Sequence, residues 1–187
     1  MNRRKVSSHQ PNQVTISGGL LKIYGLGVLI IGDSGIGKSE CALELICRRH
    51  RFVSDDVTQI VKTANNKLIG SAPSLSRDFM EIRGLGIINI RRIFNPKSIC
   101  RKAEINLVIK LEKWEQGKEN DRLGLKLPQS YEVLDKKIPQ ITIPVALGRN
   151  IAALVEVACK VHLLREKGCD TSREIVKKLD RAISQHD

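Results

Sequence analysis

The segment Gly32-Asp33-Ser34-Gly35-Ile36-Gly37-Lys38-Ser39 constrains this chain more than any other. It fits GxxxxGK[ST], a pattern with mechanical meaning only between a buried strand and a helix. Both flanks comply. Residues 27–31 form an unbroken apolar run rich in branched side chains, as expected of a strand covered on both faces. Residues 38–48 place Ala42, Leu43, Leu45 and Ile46 on one helical stripe and end on arginines that complement the helix dipole. In such a loop, glycines let successive backbone N–H groups curl around an anion, and the helix N-terminus adds partial positive charge. Lys38 then reaches the β and γ phosphates of a nucleotide, and the Ser39 hydroxyl ligates magnesium. Gly32, Asp33, Ser34, Gly35, Ile36, Gly37, Lys38 and Ser39 are therefore the expected nucleotide contacts.

The rest of the pattern is that of an α/β chain. Residues 1–13 read as a flexible basic tail and residues 14–187 as a single domain, because nothing periodic precedes Val14. Strands are expected at 20–24, 51–54, 105–110 and 138–145, and a hairpin at 57–62 and 67–69 around Ala64, Asn65 and Asn66. A loop is expected at 71–78 and a polar, mobile stretch at 113–129. A helix over 149–165 would carry Leu154, Val157, Ala158, Val161 and Leu164 on one face, and a last amphipathic helix over 171–184 would be capped by Ser or Thr.

Composition narrows the function classes. A 28% charged and 41% hydrophobic chain of 187 residues is of ordinary globular make-up. Its net charge of +12 favours anionic partners without choosing among them. One Trp, two Tyr and three Phe leave few platforms for stacking bases, and no base-reading motif accompanies the charge, so no nucleic-acid partner is expected. Cys41, Cys47, Cys100, Cys159 and Cys169 form no CxxC pair and read as reduced thiols. With no signal-peptide h-region and no long apolar run, the expectation is a cytoplasmic protein without a membrane partner.

Further candidates follow the loop. Asp55-Asp56 closes the strand after the helix, where the carboxyl ends of an open α/β sheet face the phosphate loop. One of the two suits metal binding or proton transfer, and because adjacent side chains of extended backbone point oppositely, they should divide the roles. Glu81 has the chemistry for a second oxygen ligand to magnesium, and Arg83 and Arg122 that for steadying phosphate charge. The cluster Arg91, Arg92, Lys97, Arg101 and Lys102 reads as a solvated or docking surface, and His50 and His162 as structural. Cys41 has two readings: a thiol of lowered pKa near a helix N-terminus, or a buried one.

In order along the chain, GDSGIGKSECALELICRRHRFVSDD, LIGSAP, MEIRGLGIINI, DRLGL and IPVALGRN resemble the signature segments of the bacterial HPr kinase/phosphorylase family, specifically its C-terminal catalytic domain. The resemblance runs from about Val14 to Ser184. It implies a phosphate-loop α/β fold, a P-loop kinase-like domain related to phosphoenolpyruvate carboxykinase, that commonly assembles as a hexamer. It also implies an ATP- and Mg2+-dependent serine kinase for the phosphocarrier HPr or an HPr-like protein, acting in phosphotransferase-system regulation and carbon metabolism. Lys38 is then the phosphate-binding lysine, Ser39 and Glu81 hold the metal, Arg122 is an active-site arginine and Asp55 is the acid-base. Asp55 would take the proton of the seryl hydroxyl as ATP delivers its γ-phosphoryl group. In reverse it would return it as inorganic phosphate attacks phosphoseryl HPr and pyrophosphate leaves.

Three departures bear on that implication. Ser17-Gly18 stands where the family has a His-Gly pair, and a serine neither carries charge nor shuttles a proton near pH 7. Ala146-Leu147 replaces a segment that usually holds a basic residue, which implies weaker phosphate binding and weaker phosphorylase activity. The family's N-terminal domain has no counterpart in the short tail. Two alternatives accompany the kinase reading: a nucleotide-sensing module with weak turnover, and a small-molecule kinase on the same scaffold.

Overall fold

Branched apolar runs separated by Gly, Asn and Asp turns give strands here, and a computed structural model describes residues 12–114 and 128–183, with side chains through residue 181. In chain order the elements are β1 (Gln13–Ser17), β2 (Gly19–Ile23), β3 (Leu26–Gly32), α1 (Lys38–Cys47), β4 (Arg51–Ser54), β5 (Val57–Lys62), β6 (Leu68–Ser71), β7 (Phe79–Ile82), β8 (Gly86–Asn89) and the one-turn α2 (Ile90–Ile93). After a short 3-10 turn at Pro96–Ser98 come β9 (Lys102–Lys113), β10 (Gln129–Val133), β11 (Lys136–Val145), α3 (Ile151–Glu166) and α4 (Thr171–Ile183). This is the expected α/β class. Among the described residues no helix is long and apolar enough to cross a membrane.

The main sheet runs β1-β5-β6-β9-β3-β2-β4, with β11 also paired to β9 and β10 to β11. Strand direction decides where chemistry can collect. β3 and β11 are both parallel to β9, and β2 is antiparallel to β3 and to β4. Two antiparallel steps restore the original direction, so β3, β4, β9 and β11 all end on one side. That side carries the phosphate loop after β3, Asp55-Asp56 after β4 and the β11–α3 loop. At Gly27 the β3–β9 pair comes so close that an added Cβ would stand 1.9 Å from the Glu104 carbonyl oxygen, which only glycine permits.

Each central strand buries both faces. Leu21, Val28, Ile30, Leu107 and Ile109 pack into a core with Ala42, Leu45 and Ile46 of α1 and Val155 and Cys159 of α3. Their chain neighbours Leu20, Leu29 and Val108 point the other way, onto Ile60, Leu68, Val133 and Ile138. The period of two thus splits one apolar run between two cores, which is why 27–31 shows no alternation in sequence.

Several expectations need correction. On α3 the buried residues are Ala152, Val155, Ala158, Cys159 and His162, while Val157, Val161 and Leu164 are 54%, 37% and 47% exposed. Apolar residues lie on every side of the helix, interspersed with Glu156, Lys160, Arg165 and Glu166, and its small residues face inward because they allow close approach to the neighbouring layer. α4 is capped by Asp170, whose Oδ1 accepts from the Ser172 and Arg173 amides, rather than by Ser or Thr. β10 lies where the polar stretch was expected to be ending, and pairing starts at Gln13, opposite Val61, one residue before the expected domain edge. EIRGLGIINI is a hairpin, β7 antiparallel to β8.

Candidate active site

The loop between β3 and α1 is held open from within. Lys38 is only 9% exposed, and its ammonium donates to the carbonyl oxygens of Gly32 and Asp33, both at 2.9 Å. The chain is thereby bent back around its own lysine, and Gly35 takes a positive φ of 78° at the tip. A side chain there would also meet the Arg83 guanidinium, since an added Cβ would lie 3.2 Å from its Nη2. The glycine thus brings the β7–β8 turn down onto the loop. Ser34, Gly35, Gly37, Lys38 and Ser39 line one polar cleft with Glu40, Asp56, Glu81 and Arg83.

Asp55 lies just below that cleft. Its Oδ1 accepts the Ser39 hydroxyl at 3.0 Å and its Oδ2 accepts the Glu81 amide at 3.2 Å. One carboxylate therefore ties together the helix after the loop, the β4–β5 corner and β7. Burial pushes its pKa up to about 6, the Asp56 charge adds to this, and the Ser39 and Glu81 hydrogen bonds oppose it. A carboxyl group so placed exchanges protons near neutral pH.

The corner itself is braced. The Gly18 amide donates to the Asp56 carbonyl at 2.8 Å, and the buried Thr58 hydroxyl donates to the Gly18 carbonyl at 2.7 Å. Ser17, the last residue of β1, pairs with Val57, so the position where the resemblance expects histidine adjoins the acidic pair.

Of the sequence-derived residues, Lys38, Ser39, Asp55 and Glu81 come together, and Arg83 joins them. Arg122 lies outside the described residues. Ala146 and the fully exposed Leu147 belong to the neighbouring β11–α3 loop and do not line this cleft. Cys41 takes the buried reading: it is 4% exposed and burial pushes its thiol up to about 12. Asp56 and Glu40, not Asp55, are the acidic groups that line the cleft with Glu81. For Asp56 the alternation rule for adjacent strand residues was the available signal; for Glu40 there was only its place after the motif.

A divalent ion fits the chemistry of these donors. Among the described residues no cluster of three His, Cys, Asp or Glu side chains is arranged to hold a metal unaided. Magnesium does not need one, because it binds through one or two protein oxygens and completes its shell with water and substrate phosphate. Ser39, Asp56 and Glu81 offer hard oxygens of that kind at the cleft wall.

Fold and cleft define a phosphate-loop α/β protein with a carboxylate placed to exchange protons beside the loop. Residues 9–179 match the family model described as the HPr Serine kinase C-terminal domain, and the chain belongs to that family. It is 48% identical over 171 residues, 91% of its length, to the HPr kinase/phosphorylase of Thermoanaerobacter sp. (strain X514), covering 56% of that protein. Identity to the Bacillus licheniformis HPr kinase/phosphorylase is 47% over 168 residues, 90% of this chain and 54% of that one. The chain thus spans about half the length of the curated relatives it matches. The solved Hpr(Ser) kinase/phosphatase of Coxiella burnetii superposes with a TM-score of 0.77 at 36% identity, over 87% of this chain and 98% of that one.

Proposed function

We propose that this domain transfers the γ-phosphoryl group of ATP to a seryl hydroxyl of HPr or an HPr-like phosphocarrier. The observation that carries the reading is the cleft where Lys38, Ser39, Asp56, Glu81 and Arg83 converge above Asp55. The names of the relatives supply the acceptor.

In this reading the loop amides and Lys38 hold the β and γ phosphates, and Arg83 neutralises charge on the transferring group. Ser39 and Glu81 hold a magnesium ion, which supplies charge neutralisation at the phosphate oxygens. Asp55 removes the proton of the seryl hydroxyl; the serine oxygen bonds to the γ-phosphorus, the bond from that phosphorus to the bridging oxygen breaks, and ADP leaves. In reverse Asp55 returns the proton to serine as inorganic phosphate attacks and pyrophosphate departs, a direction weakened by Ser17 and Ala146. A second reading exchanges the two acids, because Asp56 lines the cleft and Asp55 is hydrogen-bonded beneath it.

The reading places the reaction in the cytoplasm, in line with five free cysteines. It also includes assembly with copies of itself as a hexamer, in line with the exposed Val157, Val161 and Leu164 of α3 and Ile175 and Leu179 of α4. The test is transfer of labelled γ-phosphate from Mg-ATP to purified HPr by the native chain, Asp55→Ala and Asp56→Ala, followed by addition of inorganic phosphate to the product. Loss of transfer in Asp55→Ala with ATP binding intact supports the first assignment. Loss in Asp56→Ala alone favours the second, and tight Mg-ATP binding without transfer favours a sensor or another acceptor.

A further inference from the structure

We infer that a second cleft, between α1 and the β11–α3 loop, receives the nucleoside end of the phosphoryl donor; this rests on the nucleotide-binding reading above. A polyphosphate seated on the loop has two ends. The reacting end belongs with the carboxylates Asp55, Asp56 and Glu81, so the organic end must leave along another side of the loop. The second cleft opens directly from the first, because Gly37 and Glu40 line both. None of those three carboxylates lines it.

Topology explains the position. β11 and β3 both run parallel to β9, so Val145 at the end of β11 emerges on the same side of the sheet as Gly32. The chain then turns through Gly148 into α3, facing the first turns of α1 across the gap.

The walls are fixed by hydrogen bonds within the protein. Asn150 uses both ends of its amide: Oδ1 accepts from the Ala153 amide at 2.8 Å, capping α3, and Nδ2 donates to Glu44 Oε1 at 2.9 Å. Glu44 also accepts from Arg48 at 2.6 Å, and Arg149 donates to the Pro144 carbonyl at 2.6 Å. The cleft is therefore preformed, which limits the ordering cost of binding.

Its lining selects among ligands. Ile36, Val145 and Ile151 offer aliphatic surface to the flat face of a base, while the Glu40 and Glu44 carboxylates accept from ribose hydroxyls or an exocyclic amine. Arg149 shares the lining with these two carboxylates and Arg48 pairs with Glu44, so the cleft carries no excess of positive charge that would draw in a second phosphate. Among the described residues no aromatic side chain lines the cleft. These residues offer a base no aromatic ring to stack on, and discrimination between purine bases should be slight.

The experiment compares calorimetric binding of Mg-ATP, Mg-GTP and Mg-tripolyphosphate to the native chain and to Ile151→Trp, which narrows the cleft from its α3 wall and leaves Lys38 and Ser39, on the other cleft, in place. The native chain should prefer ATP to tripolyphosphate by about tenfold and bind GTP within about tenfold of ATP. Ile151→Trp should bind ATP no better than tripolyphosphate and leave tripolyphosphate unchanged. An unaltered ATP preference in a folded Ile151→Trp overturns the inference while leaving the nucleotide reading intact. Failure of the native chain to bind any of the three ligands removes both. Should Ile151→Trp not fold, photolabelling of the native chain with 8-azido-ATP decides: label on residues 36–44 or 145–151 supports the cleft, and label confined to other segments overturns it.

Discussion

The Ser39 hydroxyl donates to Asp55 Oδ1 at 3.0 Å, joining the last residue of the loop motif to the first residue after β4. If Asp55 is the acid-base, its protonation sets the direction-dependent pH profile. With a pKa raised to about 6, kcat/KM for transfer from ATP should climb through pH 6 and level off above it, because the base must be ionised. The phosphate-dependent reverse reaction should fall over the same interval, because there the acid must be protonated. Asp55→Asn should cost about 10²- to 10⁴-fold in kcat with nucleotide binding retained, and should abolish the rising limb. Rate assays between pH 4.5 and 8.5 check this, and an unchanged profile in Asp55→Asn would refute it.

The same shift makes a stability prediction of opposite sense. The folded pKa of about 6 lies above the ordinary 3.8, so the folded state binds the Asp55 proton more tightly than the unfolded chain does. That contribution is fully present below pH 3.8 and is lost as pH rises through about 6. Above that pH, Asp55→Asn should be the more stable protein, by at most about 3 kcal/mol before allowance for the partial solvent access of the carboxylate. Urea unfolding midpoints of the two proteins at pH 4 and pH 7.5 measure the difference. Equal midpoints at pH 7.5 would mean that Asp55 is not strained.

How much of this the sequence disclosed depends on whether a residue acts through its neighbours in the chain or through distant ones. The place of the Gly32–Ser39 loop between β3 and α1 was legible because its determinants are local: spacing, glycines and flanking elements all lie within one stretch. The main strands were legible because burial on both faces leaves long apolar runs. Which face of α3 is buried was not, since Val157, Val161 and Leu164 are as apolar as the residues that pack inward, and only the sheet beneath decides. Nor was the hydrogen bond from the Glu81 amide to Asp55, which exists because β7 is laid against the β4–β5 corner.

A second buried-edge network went unread for the same reason. Glu156 of α3 accepts from the Tyr24 hydroxyl at 3.0 Å and from Arg48 at 2.8 Å, and its other contact is His50 Nε2 at 2.7 Å. Partial burial works to raise its pKa, but the hydrogen bonds from His50, Tyr24 and Arg48 prevail and hold the carboxyl below its ordinary value. A depressed pKa contributes stability above the unfolded value of 4.5 that is lost as pH falls through the folded one. Glu156→Gln should therefore cost roughly 1 kcal/mol near pH 7 once solvent screening is allowed for, and the gap should narrow as pH falls below the unfolded value of 4.5. Thermal melts across that range provide the check, a pH-independent gap being the contrary result.

Position 17 allows the missing histidine to be tested by restoring it. Ser17 is exposed at the end of β1, opposite Val57, and the next residue, Gly18, donates its amide to the Asp56 carbonyl. A larger side chain on this exposed, extended residue should change stability by no more than about 0.5 kcal/mol. Ser17→His would set a group that titrates near pH 6.5 beside the acidic pair, where protonated imidazole can neutralise phosphate charge and neutral imidazole can accept a proton. If its absence limits the reverse direction, Ser17→His should raise phosphate-dependent dephosphorylation of phosphoseryl HPr about tenfold or more near pH 6.5, with ATP affinity unchanged. The double variant Ser17→His, Ala146→Lys tests whether a basic group on the β11–α3 loop adds to this. A rate that stays flat in Ser17→His at every pH from 5.5 to 8 would show that the limitation lies elsewhere. A gain only in the double variant would locate it in phosphate binding by the loop rather than in proton transfer at the acidic corner.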